Sequence, residues 1–190
     1  MAYDAGRGRT VLFGGFDGNF RRLNDTWEWD GAVWKRRTPP TPPPARSDHG
    51  MAYSRAHHGI VIHGGARGSA ASSIRKDTWL YDGRSWQQLE AGPKPPAVTA
   101  TNLAPESTHG SVMFFGGASP SGSPSGTWRL HPKRGWEKFV LTASPLHRTD
   151  HASIGMTTGE VIIVAGGQAF GAARGDSWSF GGLGASATMF

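Results

Sequence analysis

The chain of 190 residues contains no cysteine. That absence removes disulfide staples, thiolate metal sites and cysteine nucleophiles together, and it leaves the redox compartment open. Long apolar runs are missing as well. The longest, Val161 to Ala165, is far shorter than the roughly 20 residues that cross a bilayer as a helix. Met1 to Arg7 lack the apolar core of a secretory leader, so neither a signal peptide nor membrane insertion is expected of these residues. Acidic side chains are the minority, 14 against 20 Lys and Arg, for a formal charge of +6. This balance favours anionic partners at long range but specifies no ligand. Nucleic acid is not expected as the main partner, and the sequence assigns no compartment.

What the chain has in quantity is glycine (28) and proline (13), set between short apolar runs, with 37% hydrophobic residues overall. That composition predicts many strands and turns around a genuine core.

The turns recur. Diglycines fall at Gly14-Gly15, Gly64-Gly65, Gly116-Gly117 and Gly166-Gly167, at intervals of 50, 52 and 50 residues, and each closes an apolar run. Some ten to fifteen residues later comes a tryptophan, in Asp25-Thr26-Trp27, Asp77-Thr78-Trp79, Gly126-Thr127-Trp128 and Asp176-Ser177-Trp178. A second follows at Trp34, Trp86 and Trp136, after the turns Asp30-Gly31, Asp82-Gly83 and Pro132 to Gly135. Asp-Gly between aromatic segments is a short-hairpin signal. Ahead of the later units stand Arg46, Val98 and Arg148, with His49, Thr101 and His151 three residues beyond. Each unit reads as four short strands, a to d: a near 49–54, b ending in the diglycine, c and d carrying the two tryptophans. Apolar b strands predict sheets buried on both faces, which one sheet cannot achieve without neighbours.

Diglycine after an apolar strand, Asp-Thr-Trp, a tight turn and a second Trp, at a period near fifty, resemble the kelch repeat over essentially the whole chain. The resemblance implies an all-β fold, a β-propeller of about four four-stranded antiparallel blades within one domain or fragment, with approximate units 1–45, 46–97, 98–147 and 148–190. The tandem WD family is a poorer match, since Trp29-Asp30 is its single dipeptide and the period is too long. Sialidase Asp-boxes separate Asp from Gly, unlike these turns. The first unit begins inside strand a, Met1 aligning with Met51, and Ala185 stands where a fourth second-tryptophan belongs. Both terminal units are therefore expected to be incomplete, with further blades or another chain closing the ring.

Few residues invite chemistry. The diglycines lack the lysine and helix of a phosphate loop, and their repetition points to backbone geometry. Seven of the eight tryptophans are repeat-equivalent and read as packing between sheets. His49 and His151 are expected to bond locally within their linkers. His57, His58 and His63 are dispersed by strand alternation, and no metal site is expected. Galactose oxidase and its relatives are propellers of the resembled family with a copper radical cofactor that needs a Tyr–Cys cross-link. With no cysteine and only Tyr3, Tyr53 and Tyr81, all read as strand residues, this chain cannot build it; no cofactor is expected.

Alternating strands put the b-to-c and d-to-a connections on one side of the units and the short turns on the other. The b-to-c loops, Phe16 to Asn24, Ala66 to Lys76, Ala118 to Ser125 and Gln168 to Gly175, carry Arg21, Arg22, Arg67, Arg75, Lys76 and Arg174 against one acid, Asp17, with Phe20 and Phe170 among them. Arginine beside an exposed ring suits anionic or sugar-containing ligands. The leading expectation is a non-catalytic scaffold binding a protein or glycan, with Phe20, Arg21, Arg22, Arg67, Arg75, Lys76, Phe170 and Arg174 as binding residues. The alternative is part of a carbohydrate-active enzyme, oxidase- or epimerase-like, whose catalytic residues lie outside this chain. A third is a spacer within a larger surface or secreted protein.

Overall fold

A computed structural model describes residues 1–120, 126–139, 145–155, 161–164, 167–169, 172–173, 175–181 and 186–189. Among these the protein is all-β, with one short 3-10 turn at Ala71–Ser73. Strands β1 (Ala2–Asp4), β2 (Arg9–Phe16), β3 (Arg22–Trp29) and β4 (Trp34–Arg37) form the first sheet. The second comprises β5 (Gly50–Ser54), β6 (Gly59–His63), β7 (Thr78–Tyr81) and β8 (Trp86–Leu89). The third comprises β9 (Asn102–Glu106), β10 (Ser111–Phe115), β11 (Thr127–His131) and β12 (Gly135–Phe139). In the fourth, β13 (Ala152–Gly155) and β14 (Val161–Val164) precede a two-stranded ribbon, β15 (Gln168–Ala169) with β16 (Ala172–Ala173), before β17 (Trp178–Gly181) and β18 (Ser186–Met189). Each four-stranded sheet is an antiparallel meander in chain order. The first strands of successive sheets pack together, β1 on β5, β5 on β9 and β9 on β13.

The c-to-d turns hold four residues in the first two sheets, longer than a two-residue hairpin, because an aspartate organises them. Asp30 Oδ1 accepts the N–H groups of Ala32 (3.1 Å) and Val33 (2.9 Å), and Asp82 Oδ1 those of Arg84 and Ser85. Gly31 and Gly83 supply the positive φ. In the third sheet His131 Nδ1 takes the aspartate's place, accepting from Lys133 (3.1 Å) and Arg134 (3.2 Å).

The diglycine is where one unit receives the next. Gly15 N–H donates to Arg46 O (2.9 Å), Gly65 to Val98 O (2.7 Å) and Gly117 to Arg148 O (2.9 Å). The preceding glycines, 14, 64 and 116, have φ of 59°, 71° and 68°, and a Cβ on any of them would collide with that same carbonyl. Two glycines are therefore needed, one for clearance and one for a left-handed donor. Gly166 lies outside the described residues.

The linker residue that supplies the carbonyl also turns its side chain into its own unit. Arg46, fully buried, donates to both carboxylate oxygens of Asp77 (2.8 and 2.7 Å) and to Gly64 O, and Asp77 accepts the Trp79 indole N–H (2.7 Å). In the fourth unit Arg148 donates to one carboxylate oxygen of Asp176, Oδ2 (2.7 Å), and to the Asp176 backbone carbonyl, and the same Oδ2 accepts the Trp178 indole N–H (2.6 Å). In the third, the arginine is Val98 and the aspartate is Gly126, so both partners are gone together. That is what the cost of an unpaired buried charge demands.

Neighbouring sheets interlock through the second tryptophan. Trp86 in β8 donates its indole N–H to Thr26 Oγ1 in the first sheet (3.0 Å), and Trp136 in β12 donates to Thr78 in the second (2.8 Å). Around these lie two apolar layers, Val11, Phe13, Ile60, Ile62 and Tyr81 between the first and second sheets, and Val61, Leu103, Val112, Phe114 and Leu130 between the second and third. Strands β6 and β10 are buried along their whole length, as their unbroken apolar runs predict. Strand β2 alternates, because one face of the first sheet is uncovered.

Nδ1 of His49 does not bond within its linker as expected and lacks a hydrogen-bond partner. The rings of His49 and His151 pack edge-on against Phe13 (5.7 Å) and Phe115 (5.9 Å) of the preceding sheets. Burial, reinforced by Arg46 and Arg148, lowers their pKa values to about 3 and about 4, so both are neutral packing groups.

Candidate functional site

The first b-to-c connection is tighter than its sequence suggests. Strands β2 and β3 continue past the diglycine, with a register shift between Phe13 and Gly15, so Phe16 and Arg22 pair across a hairpin and only residues 17–21 form its tip. Asp17 shapes that tip. Its Oδ1 accepts the N–H groups of Asn19 and Arg21, both at 2.9 Å, and these bonds hold its pKa below the usual carboxylate range. Phe20 follows in the left-handed region at φ 59° and is 83% exposed.

Three side chains line up on this hairpin. The Phe20 ring meets Phe16 edge-on at 6.5 Å, and the Arg22 guanidinium lies 4.9 Å over the other ring, Phe16. Arg22 is anchored by Nε donating to Ser47 Oγ (3.2 Å), and Ser47 pairs with Ala66 at the start of the second loop. The first and second loops thus share an edge. Arg21 is partly neutralised by Asp17 at 3.5 Å.

On the second loop Arg67 and Lys76 are exposed. The Arg75 backbone is tied to Gly65 O and to the Val98 N–H, while its Nε is buried without a partner. Phe170 and Arg174, also expected to bind, lie outside the described residues. The sequence reading missed Phe16, whose 46% exposure and stacking follow from its strand register, and Ser47, whose role follows only from how two units meet.

The opposite edge carries a polar side-chain pair at one repeat position, with a carboxylate in the first and third units and a serine in the second. Asp4 bonds Arg7, Ser54 bonds His57 (2.8 Å) and Glu106 bonds His109 (3.1 Å). Glu28, buried, collects Arg7, Arg37 and the Tyr81 hydroxyl; burial opposes its ionisation, but the two arginines outweigh that and lower its pKa. A cavity of about 180 Å³ near the third-sheet turns has Arg129 and His131 in its wall. Arg129 is already shared between Glu137 and His109, and His131 Nδ1 is committed to its turn. Among the described residues no group of three His, Asp or Glu side chains could hold a metal ion, and no helix is long and apolar enough to cross a membrane.

No family model matches the chain. It is 32% identical over 127 residues to tRNA wybutosine-synthesizing protein 4 of Aspergillus fumigatus. That alignment covers 64% of this chain and 12% of the fungal protein, so the chain spans about an eighth of the length of this curated relative.

Proposed function

We propose that the chain is part of a kelch-type β-propeller and acts as a non-catalytic binding scaffold, taking a protein or glycan partner with anionic groups on its long-loop edge. The propeller reading is supported by four four-stranded meanders at one period, diglycines that receive the next unit, and tryptophans that interlock successive sheets. The stretch similar to the fungal protein is a small part of a tRNA-modifying protein, a size that suits a binding module attached to a larger machine.

One observation carries the binding reading: Phe20 is held almost fully exposed in a left-handed backbone. That conformation costs a non-glycine residue about 1–2 kcal/mol, and a large apolar ring gains nothing from water. Asp17 imposes the tip geometry, and Phe16 with Arg22 extends the ring into an aromatic and cationic surface. Strain and apolar exposure at a loop tip are features of contact sites.

Arrays of sulfated and sialylated glycans and of acidic peptides test this. Binding is expected to weaken about tenfold or more in Phe20→Ala and in Arg22→Ala, with thermal unfolding unchanged. Retention of full binding by both variants would remove the long-loop edge as the contact surface.

A further inference from the structure

The tip of the first hairpin spends its backbone on itself. Four of the five backbone N–H groups in residues 17–21 are bonded within it: Phe20 to Asp17 O (3.1 Å), Asp17 to Arg21 O (3.0 Å), and Asn19 and Arg21 to Asp17 Oδ1. Sugar hydroxyls desolvated against this tip would find few backbone donors, at the cost that unpaired polar groups carry. What the tip turns outward is apolar. The Phe20 and Phe16 rings lie with centroids 6.5 Å apart, and both are exposed.

Arg22 differs from the other cations of this edge in being held. Its guanidinium lies 4.9 Å over the Phe16 ring, and its Nε donates to Ser47 Oγ (3.2 Å), whose own hydrogen goes to Asp48 Oδ2 (2.7 Å). No hydrogen bond joins Nη1 or Nη2 to another described residue. The outer edge of a guanidinium already fixed in its plane is therefore a fork open to one carboxylate. Arg21, by contrast, is 79% exposed and leans on Asp17 at 3.5 Å. Phe16 and Arg22 are cross-strand partners and share a face. Because Arg22 reaches Ser47, in the linker to the second unit, that face is the one turned to the second unit. The patch belongs to the rim between two described units, not to the outer side of the first sheet.

An extended peptide repeats its side chains on one face every second residue, about 6.7 Å apart. That spacing matches the 6.5 Å from the Phe20 ring to the Phe16 ring beneath the guanidinium. We infer that this rim takes an extended acidic segment of a protein partner, reading an apolar side chain and a Glu or Asp two residues apart, the apolar group on Phe20 and the carboxylate on the Arg22 fork. Arg67 and Lys76 are exposed on the neighbouring loop, which Ser47 joins through Ala66, and continue the cationic surface for further acids. The inference rests on the long-loop edge being the contact surface, and it narrows the ligand there from protein or glycan to one peptide pattern.

Peptide arrays test it, each peptide holding one phenylalanine and one glutamate at separations of one to four residues between randomised flanks, with sulfated oligosaccharides as the second probe. Binding is expected to peak at a separation of two, about fivefold or more above one and three. It should fall about tenfold when the peptide glutamate becomes glutamine, and as far in Arg22→Lys, which keeps the charge and loses the fork. The two changes together should cost little more than either alone, and Arg22→Lys should melt as the wild type does. Equal binding at all separations, or strictly additive losses, would overturn the pattern. Oligosaccharide binding that needs Phe20 and Arg22, with no peptide bound, would overturn this inference and leave the long-loop edge as the contact surface. Peptide binding indifferent to Phe20→Ala and Arg22→Ala, or binding of neither probe, would count against both.

Discussion

The guanidinium of Arg46 and the carboxylate of Asp77 meet in a two-pronged ion pair, 2.8 and 2.7 Å, with the arginine fully buried and the carboxylate one-fifth exposed. Burial works against the carboxylate's charge, but the arginine outweighs it and the Asp77 pKa falls. The third unit has abandoned both partners, as Val98 and Gly126. Arg46→Val alone should therefore destabilise by about 3 kcal/mol, since it strands a charge. Arg46→Val with Asp77→Gly should cost clearly less than the two single changes added together. Urea unfolding of the four proteins measures this coupling; strict additivity would mean that the pair does not act as a unit.

The glycines of the repeated pairs should differ in tolerance according to what a Cβ would meet. Among the second glycines Gly15 is the open one, since a Cβ on Gly65 would meet Ser47 O at 2.6 Å and one on Gly117 would meet Thr99 O at 3.0 Å. Gly64 has φ 71° and Val98 O in the path of a Cβ, whereas Gly15, at φ 99°, has nothing within 4 Å of one. Gly15→Ala should cost only the left-handed penalty, about 1–2 kcal/mol. Gly64→Ala adds a backbone collision that can be relieved only by moving the next linker, and should cost several kcal/mol. The comparison is made on denaturant midpoints, and equal losses would refute the clearance argument.

The repeat period, the strand order and the packing role of the tryptophans were all readable from residue types, because glycine, tryptophan and Asp-Gly each answer a local requirement. Arg46 was noticed by position alone. Its partner lies 31 residues away, and nothing local announces that pairing; the signal that could have found it is the joint loss of arginine and aspartate in the third unit. The candidate site was legible as a basic, aromatic loop edge. The stacking of Arg22 on Phe16 was not, because it depends on a bulge that carries two strands beyond their expected ends.

The threonines of the third strands should separate by whether a tryptophan reaches them. Thr26 and Thr78 each receive an indole N–H, while Thr127 is buried with its hydroxyl unpaired. Thr26→Val and Thr78→Val should each cost about 1–3 kcal/mol, since each leaves a buried donor without an acceptor. Thr127→Val removes an orphan and should be neutral or stabilising. Thermal unfolding of the three variants decides it, and a loss at Thr127 matching the other two would show that its hydroxyl has a partner.

Acid should weaken the fold in two stages, the first set by histidines. His49, His63 and His151 have folded pKa values of about 3, about 4 and about 4, in each case chiefly through burial, against an ordinary 6.5. Between roughly pH 6.5 and 4 the unfolded chain takes up protons that the folded chain refuses. Stability is therefore complete above about pH 7 and declines as pH falls, by up to about 1.4 kcal/mol per pH unit for each group. Loss of the arginine-paired carboxylates follows at lower pH. His63 offers a clean control, because Phe13 and Phe115 hold the equivalent positions in the first and third units, and Thr26, beside Phe13, keeps its tryptophan donor. His63→Phe should fold and should reduce the slope of unfolding free energy between about pH 6.5 and 4.5 by up to about 1.4 kcal/mol per pH unit, the rest of the slope being shared by His49, His151 and the other histidines with lowered pKa values, His57, His131 and His147. An unchanged slope would mean that His63 is protonated in the folded protein, and that its neighbours, not burial, set its charge.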